Sequence, residues 1–345
     1  MEQVLTQRTN GRRPTLEDVA RQSGVSRSTV SRVINGEPRV SAQVVERVRE
    51  VIAELDYVPN QAARQLVTHR TNAIAVVASP PEGRLFLDPF FDCLLRGVRR
   101  QLAEHGAQAV LLFLEEPDDY PRVADYLGGG HVDGAVLFSL RPGDLLHEMI
   151  DRLDIPAVFG GRPRLRDGRT RHADHAYVDG DNRGGARQAV QHLVSLGRTR
   201  IATITGPYDQ ENSAADRLAG YRDVLPDAPP HLVEKADYSR EGGADAMAAL
   251  LDRCPGLDAV FVASDFMAAG ALRTLRERGR RVPEDVAVVG FDDLTSIAES
   301  TEPPLTTVHQ DVEDMGRLMA RLLFEDGPRA PSVVVPTRLV RRQSA

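Results

Sequence analysis

The sequence predicts a small all-α helix-turn-helix headpiece plus hinge helix, followed by an α/β two-lobed body with parallel doubly wound sheets. Three observations carry this. In the first 70 residues the apolar positions recur at helical spacing, and Ser-Gly and Asn-Gly pairs break the runs. From Asn72 onward short, continuous apolar runs alternate with helical patterns, the order that builds parallel sheets with helical crossovers. That alternation begins again near Tyr177, so the body holds two rounds of one architecture. A length of 345 residues suits a small domain joined to a two-lobed one.

The first 14 residues are polar and unpatterned and read as a disordered arm. Thr15–Gly36 reads TLEDVARQSGVSRSTVSRVING. Thr15 is placed to cap a first helix, with Asp18 as a weaker capping-box partner, and Leu16, Val19 and Ala20 form its apolar face. Ser23-Gly24-Val25 breaks the period, and Gly24 permits a sharp turn. Ser26 caps a second helix that buries Val30 and Val33 and stops at Asn35-Gly36. The spacing is that of a helix-turn-helix. Its outer face carries Arg27, Ser28 and Arg32, the residue types that read base edges in the major groove. The candidate DNA-contacting residues of this stretch are Thr15, Ser26, Arg27, Ser28, Thr29, Ser31, Arg32 and Asn35. The plainer alternative is an all-α pair with a solvated arginine face.

Ser41 opens a third helix with Val44, Val45, Val48, Val51, Ile52 and Leu55 on its period, stopped by Pro59. Headpiece residues 15–58 thus close a miniature core. Residues 59–70 form a hinge, in which Asn60 caps a helix too short to be stable alone in water. That helix carries Ala63 and Leu66 on one side, and a leucine that wedges between base steps bends DNA from the minor groove.

Residues 15–66 resemble the headpiece and hinge of the lac-repressor family of bacterial regulators. The resemblance rests on TLEDVA, GVSRSTVSRVING, VSAQVVERV and YVPNQAARQL. It implies a homodimer reading a palindromic operator in double-stranded DNA. Arg27, Ser28 and Arg32 would then sit at base-reading positions, and Leu66 at the intercalating one. Tetramers of the family use a further C-terminal leucine-repeat helix. The chain closes on Arg341-Arg342-Gln343-Ser344-Ala345 without heptads, so a dimer is expected.

In the body, strands are expected at Ala73–Ala78, Gln108–Leu114, Val132–Phe138 and Ala157–Phe159. The second round gives strands at Arg200–Thr205, Val233–Ala236, Ala259–Val262 and Val286–Gly290. Helices fall between, including one opened by Arg217, and a helix at 311–324 and a strand at Ser332–Pro336 follow. The expected body is residues 71–345, with a first lobe of about 71–173 and 309–331 and a second of about 174–308 and 332–345. The resemblance extends to this body, which the family shares with periplasmic sugar-binding proteins.

Ligands of open α/β sheets lie at the carboxyl ends of strands. The polar and aromatic residues there are Ser79, Phe90, Phe91, Gly161, Arg162, Arg217, Tyr238, Ser264, Asp265, Asp292 and Gln310. Carboxylates accept sugar hydroxyls, a guanidinium donates in a fork, and aromatic rings cover C–H faces. The resemblance implies that Arg217, Asp265, Asp292 and Gln310 bind effector, with Ser79, Phe90, Tyr238 and Ser264 nearby. It also shows a departure. Several relatives have an aspartate where this chain has Gly161, which points to a different or larger ligand. The structural alternatives are helix capping by Asp265, Asp292 and Asp293, and core packing by Phe90 and Tyr238.

Charge is uneven. The first 70 residues carry 11 arginines against 8 acidic residues, a net of +3, and the remainder carries −10. A basic head on an acidic body suits contact with DNA through one end. Apolar content is 41% and the longest apolar runs are strand-like, so no membrane-spanning helix is expected. The polar N-terminus reads as no secretory signal, so a cytoplasmic protein is expected. Cys93 and Cys254 cannot form a disulfide framework and read as small hydrophobes. His172, Asp174 and His175 have a loose metal-like spacing within an Arg-rich loop, and no metal or other cofactor is expected. No HExxH, Walker or GxSxG motif occurs, and the adjacent Asp292-Asp293 pair is a poor acid–base couple, so the chain is not expected to be an enzyme.

The expected function is a repressor of carbohydrate uptake or catabolism genes, switched by a mono- or oligosaccharide in the inter-lobe cleft. Two alternatives stand beside it. One is a regulator of the same family controlled by a partner protein. The other is a sugar-binding protein without a gene-control role.

Overall fold

The computed structural model describes residues 14–36, 38, 40–58, 70–78, 88–116, 118–138, 146–153, 155–162, 176–209, 211–325 and 332–345. The arm (1–13), Asn60, Ala63 and Leu66 of the hinge, Ser79 and the His172–Asp174–His175 cluster lie outside the described residues. Two compact units emerge, Met1–Thr71 and Asn72–Ala345.

The headpiece contains α1 (Leu16–Ser23), α2 (Arg27–Ile34) and α3 (Ala42–Glu54). The capping box at Thr15 is complete. Its hydroxyl accepts the Asp18 amide at 3.4 Å, and its own amide donates to Asp18 Oδ2 at 2.9 Å. Gly24 ends α1 at φ 67°, the left-handed conformation that costs glycine least. Ser26 caps α2 by accepting the Thr29 amide at 3.2 Å. Ser41 occupies the N-cap of α3 but makes no side-chain cap bond. Nor does Pro59 end that helix: α3 stops at Glu54, and Asp56 turns the chain at φ 47°. Val19, Ala20, Val30, Val33, Val48, Val51 and Tyr57 form the buried core. A core this small sits near the lower limit for independent folding, so each cap and turn counts.

In the body, β1 (Ala73–Ala78), β2 (Gln108–Phe113), β3 (Gly134–Phe138), β4 (Ala157–Gly160), β5 (Ala176–Gly180) and β11 (Val333–Val335) form one sheet in the order β11-β5-β4-β3-β1-β2, all parallel. A second sheet has the order β12-β10-β9-β8-β6-β7. Its strands are β6 (Ile201–Thr205), β7 (Val233–Lys235), β8 (Ala259–Val262), β9 (Ala287–Asp292), β10 (Thr306–His309) and β12 (Arg338–Val340), and only β12 runs antiparallel. Burial on both faces explains the continuous apolar runs. Ile74, Val76 and Ala78 face one core cluster while Ala75 and Val77 face another. Val260 and Val262 likewise part from Ala259 and Phe261. The two-residue side-chain period of a strand sorts them.

Helices cover both sheets: α4 (Pro89–Glu104), α5 (Asp119–Gly128) and α6 (Leu146–Leu153) in the first lobe, α7 (Asn182–Ser195), α8 (Asn212–Val224), α9 (Arg240–Arg253) and α10 (Asp265–Glu277) in the second. The short α11 (Thr295–Ala298) follows β9. The last helix, α12 (Val312–Leu322), packs on α4 in the first lobe.

The lobe boundaries differ from the sequence expectation. Residues 176–180 and 333–335 pair within the first sheet, so the crossings fall after Gly180 and Val335 rather than at 174 and 332. The cause is register: Val158 pairs with Ala176 and Val178 with Val333, which extends the first sheet past β4. β12 and α11 are additions, and α8 starts at Asn212, so Arg217 lies within that helix rather than at its start. Three connections cross between the lobes, β5 to α7, β10 to α12 and β11 to β12. Asp181 and Thr337 tie two of them together, through Asp181 N to Val335 O at 2.9 Å and Thr337 Oγ1 to Asp181 O at 3.2 Å.

Candidate functional site

A continuous polar chain runs across the lobe junction. It begins at Gln310, which follows β10 and is 3% exposed. Gln310 Nε2 donates to Asp292 Oδ1 at 2.7 Å. Arg217 Nη2 lies 3.4 Å from the same oxygen. Arg217 Nε donates to Asn182 Oδ1 at 2.8 Å, and Nη1 donates to the Ala263 carbonyl. Its guanidinium carbon sits 3.8 Å from the centroid of the Phe291 ring. Asn182 Nδ2 donates in turn to Asp179 Oδ1 at 2.9 Å and to the Gly180 carbonyl at 3.1 Å. Asp179 Oδ2 is 3.6 Å from Arg162 Nε, and Arg162 pairs with Asp216 on α8. Asn212 Nδ2 closes the series on the Arg162 carbonyl at 2.8 Å. Arg162 and Asp179 belong to the first lobe, and Asn182, Asn212, Asp216, Arg217 and Asp292 to the second.

Burying charge is costly unless pairing and hydrogen bonds compensate, and here they do. The backbone adds a second mark of a built site. Asp292 adopts φ 111° and Asp293 φ 58°, conformations that favour glycine and cost about 1–3 kcal/mol each elsewhere. Neither aspartate caps a helix, since α11 starts from Leu294 without a side-chain cap bond.

Asp265 is fully buried. Its Oδ2 accepts the Leu294 amide at 2.9 Å and its Oδ1 accepts the Thr307 hydroxyl at 2.5 Å. It braces the segment after β9 and caps no helix; Ser264 caps α10 by accepting the Met267 amide at 3.2 Å. Burial, then the charge of Asp292, hold the Asp265 carboxyl well above the usual carboxylate range, against the Thr307 and Leu294 bonds. Burial also raises Asp179, opposed by Arg162.

The other expected residues are placed less centrally. Gly161 adopts φ 90°, and no described residue lies within 4 Å of where a Cβ would point. Phe91 is buried and stacks on Phe138 at 5.8 Å, and Phe90 packs against the same core. Tyr238 is buried in the second-lobe core with its ring against Gly206. Asp179, Gly180, Asn182, Asn212 and Asp216 were not expected. Gly180 matters by its missing side chain, because a Cβ there would lie 2.5 Å from Gln310 Oε1.

On the headpiece, Arg27, Ser28, Arg32 and Asn35 are exposed, and Thr29 and Ser31 half-buried. Arg27 Nη1 lies 2.8 Å from Glu17 Oε1, with both side chains more than half exposed. An ion pair that open is worth little and leaves Arg27 able to change partner. Ser26 Oγ is 2.8 Å from Ser28 Oγ and 2.9 Å from Thr29 Oγ1. Thr15 and Ser26 serve as caps, whatever else they touch.

Residues 15–60 match the model of the bacterial regulatory proteins, lacI family, and residues 190–345 that of a periplasmic binding protein-like domain. The HTH-type transcriptional regulator CelR of Thermobifida fusca is 48% identical over 341 residues, covering 96% of this chain and 98% of that protein. The chain belongs to the lacI family of bacterial regulatory proteins. Another relative, the ribose operon repressor of Escherichia coli strain K12, is 35% identical over 316 residues, covering 90% of this chain and 92% of that one. A solved transcriptional regulator CelR-cellobiose complex matches with a TM-score of 0.72 at 45% identity, over 96% of this chain and all of that one (100%). The lac repressor dimer bound to operator and an anti-inducer matches with a TM-score of 0.83 at 28% identity, over 96% and 99%. As a lacI-family member the chain is a transcriptional regulator and not an enzyme, and the two-lobed body expected from its sequence is the family's body. Among the described residues, no helix is long and apolar enough to cross a membrane.

Proposed function

We propose that this regulator is a cytoplasmic repressor of carbohydrate-utilisation genes, and that its effector is a glucose-containing disaccharide such as cellobiose. The observation that carries the reading is the buried chain from Gln310 through Asp292 and Arg217 to Arg162. It offers a guanidinium, carboxylates and amides at the junction of two lobes, the group types that recognise a polyhydroxylated ligand. The cellobiose complex of the similar regulator supports the choice of sugar. Among the described residues nothing fills the Cβ position of Gly161, which suits a ligand larger than one hexose.

Two headpieces of a homodimer read a palindromic operator. Arg27, Ser28 and Arg32 contact bases, while Thr15, Ser26, Thr29, Ser31 and Asn35 line the DNA face, and Asn60, Ala63 and Leu66 form the hinge contact. Edge strand β2 supports self-association: it reads QAVLLF, no residue of it is fully buried, and Leu111 is 46% exposed. An apolar edge of that kind needs a cover, and a second copy supplies one. Sugar acts through linkage, shifting DNA affinity by its differential affinity for two body states.

The test is binding of the full-length protein to the DNA upstream of its own gene, with a panel of mono- and oligosaccharides. Cellobiose should shift the affinity where glucose does not, and the sign separates inducer from co-repressor. DNA binding that no sugar alters would remove the sugar and favour a protein co-effector.

A further inference from the structure

Two adjacent non-glycine residues in the left-handed region need to be held, and for Asp292-Asp293 the hold comes from the far end of the sequence. Arg342 Nη2 lies 2.7 Å from Asp293 Oδ1, and both side chains are largely buried. His309 Nδ1, from the end of β10, lies 3.0 Å from Asp293 Oδ2. Asp293 therefore meets the guanidinium on one oxygen, as an ion contact without a directed hydrogen bond, and the imidazole on the other, one residue from the carboxylate that Arg217 and Gln310 share.

Arg342 is itself fixed. Its amide donates to Thr306 Oγ1 at 2.9 Å and its Nη1 to the Leu305 carbonyl at 3.0 Å. The residues around it are stitched into the second sheet. Ser344 Oγ donates to the Val288 carbonyl at 2.6 Å and accepts the Thr306 amide at 2.8 Å, while the Val288 amide donates to the Ser344 carbonyl at 2.8 Å. Val288 lies on β9, the strand that ends in Asp292.

We propose that Arg342 is a positioning residue for the effector site, which clamps Asp293 and thereby fixes the direction of the Asp292 carboxylate. It sets effector affinity without touching effector. The affinity consequence rests on the reading of Asp292 as an effector ligand; the clamp itself does not.

The test uses the full-length protein and the variants Arg342→Ala, Arg342→Lys and Arg217→Ala. Two quantities are measured: amide hydrogen exchange in peptides covering residues 290–295 without ligand, and cellobiose affinity by titration calorimetry. With Arg342→Ala, exchange at Asp293 and Leu294 should accelerate at least tenfold while peptides from β1 and β3 stay unchanged. Cellobiose binding should weaken by a similar factor, and Arg342→Lys should recover much of both. Unchanged exchange at 293–294 in Arg342→Ala overturns the clamp, and faster exchange with unaltered cellobiose affinity overturns the positioning role of Arg342. Failure of the sugar-site reading looks different. In that case Arg217→Ala binds cellobiose as wild type does, or wild type binds none, and the exchange measurement still decides the clamp.

Discussion

Arg217 and Asp292 form an ion pair at 3.4 Å with side chains only 7% and 6% exposed. A pair so enclosed has little net effect on stability while intact, but removing one partner leaves a buried, uncompensated charge. Arg217→Ala should destabilise the body by about 3–5 kcal/mol and abolish sugar binding. Denaturant titration and calorimetry read the two effects. Arg217→Lys keeps the charge but loses the planar fork over Phe291, so it should retain more stability than affinity.

Asp265 gives a pH signature. Its carboxyl is raised in the folded state, chiefly by burial and then by Asp292. The folded protein therefore holds a proton that the unfolded chain releases near an ordinary aspartate value of about 3.9. The stability linked to this proton is full below that value and is lost as pH rises through the raised folded value. Unfolding free energy measured from pH 4 upward should carry this decline, and Asp265→Asn should remove it. An identical slope in the variant would mean that Asp265 is ionised in the fold.

Gly24 isolates a backbone effect. A Cβ at this position would meet no described residue within 4 Å, yet φ is +67°. Gly24→Ala should cost the headpiece about 1–2 kcal/mol, lower its melting transition and weaken operator binding. The body's transition should not move.

Gly180→Ala tests the close approach to Gln310. The added methyl would lie 2.5 Å from Gln310 Oε1 and should push the amide off Asp292. Sugar affinity should fall about tenfold, or about 1.4 kcal/mol, with DNA binding in the absence of sugar retained.

For DNA recognition, Arg27→Ala should relax base preference. Leu66→Ala should weaken operator binding far more than binding to random DNA, because wedging serves only the bent specific complex. Equal losses on both DNAs would remove either assignment.

Much of this was legible in the sequence, because local chemistry decides it. The caps at Thr15 and Ser26, the Gly24 turn and the apolar runs of β1, β3, β8 and β9 each need only near neighbours. Asp292 and Gln310 stand at the carboxyl ends of β9 and β10, where the rule for parallel sheets places candidate ligands, and the fold joins them to Arg217 from within α8. The same rule points to Asp179 and Asn182, but only once β5 belongs to the first sheet. Its register on β4 and β11 is a long-range fact, since Val333 lies far along the chain from Val178. Arg342 was hidden for the same reason. Nothing local to Arg341-Arg342-Gln343 shows that β9 and Thr306 receive it.

The most direct measurement is operator affinity of wild type and Arg217→Ala, each with and without saturating cellobiose. The expected result is a clear shift for wild type, none for Arg217→Ala, and similar sugar-free affinities for both. A sugar-dependent shift that survives Arg217→Ala would contradict the assignment of the effector site to the Arg217–Asp292 pair.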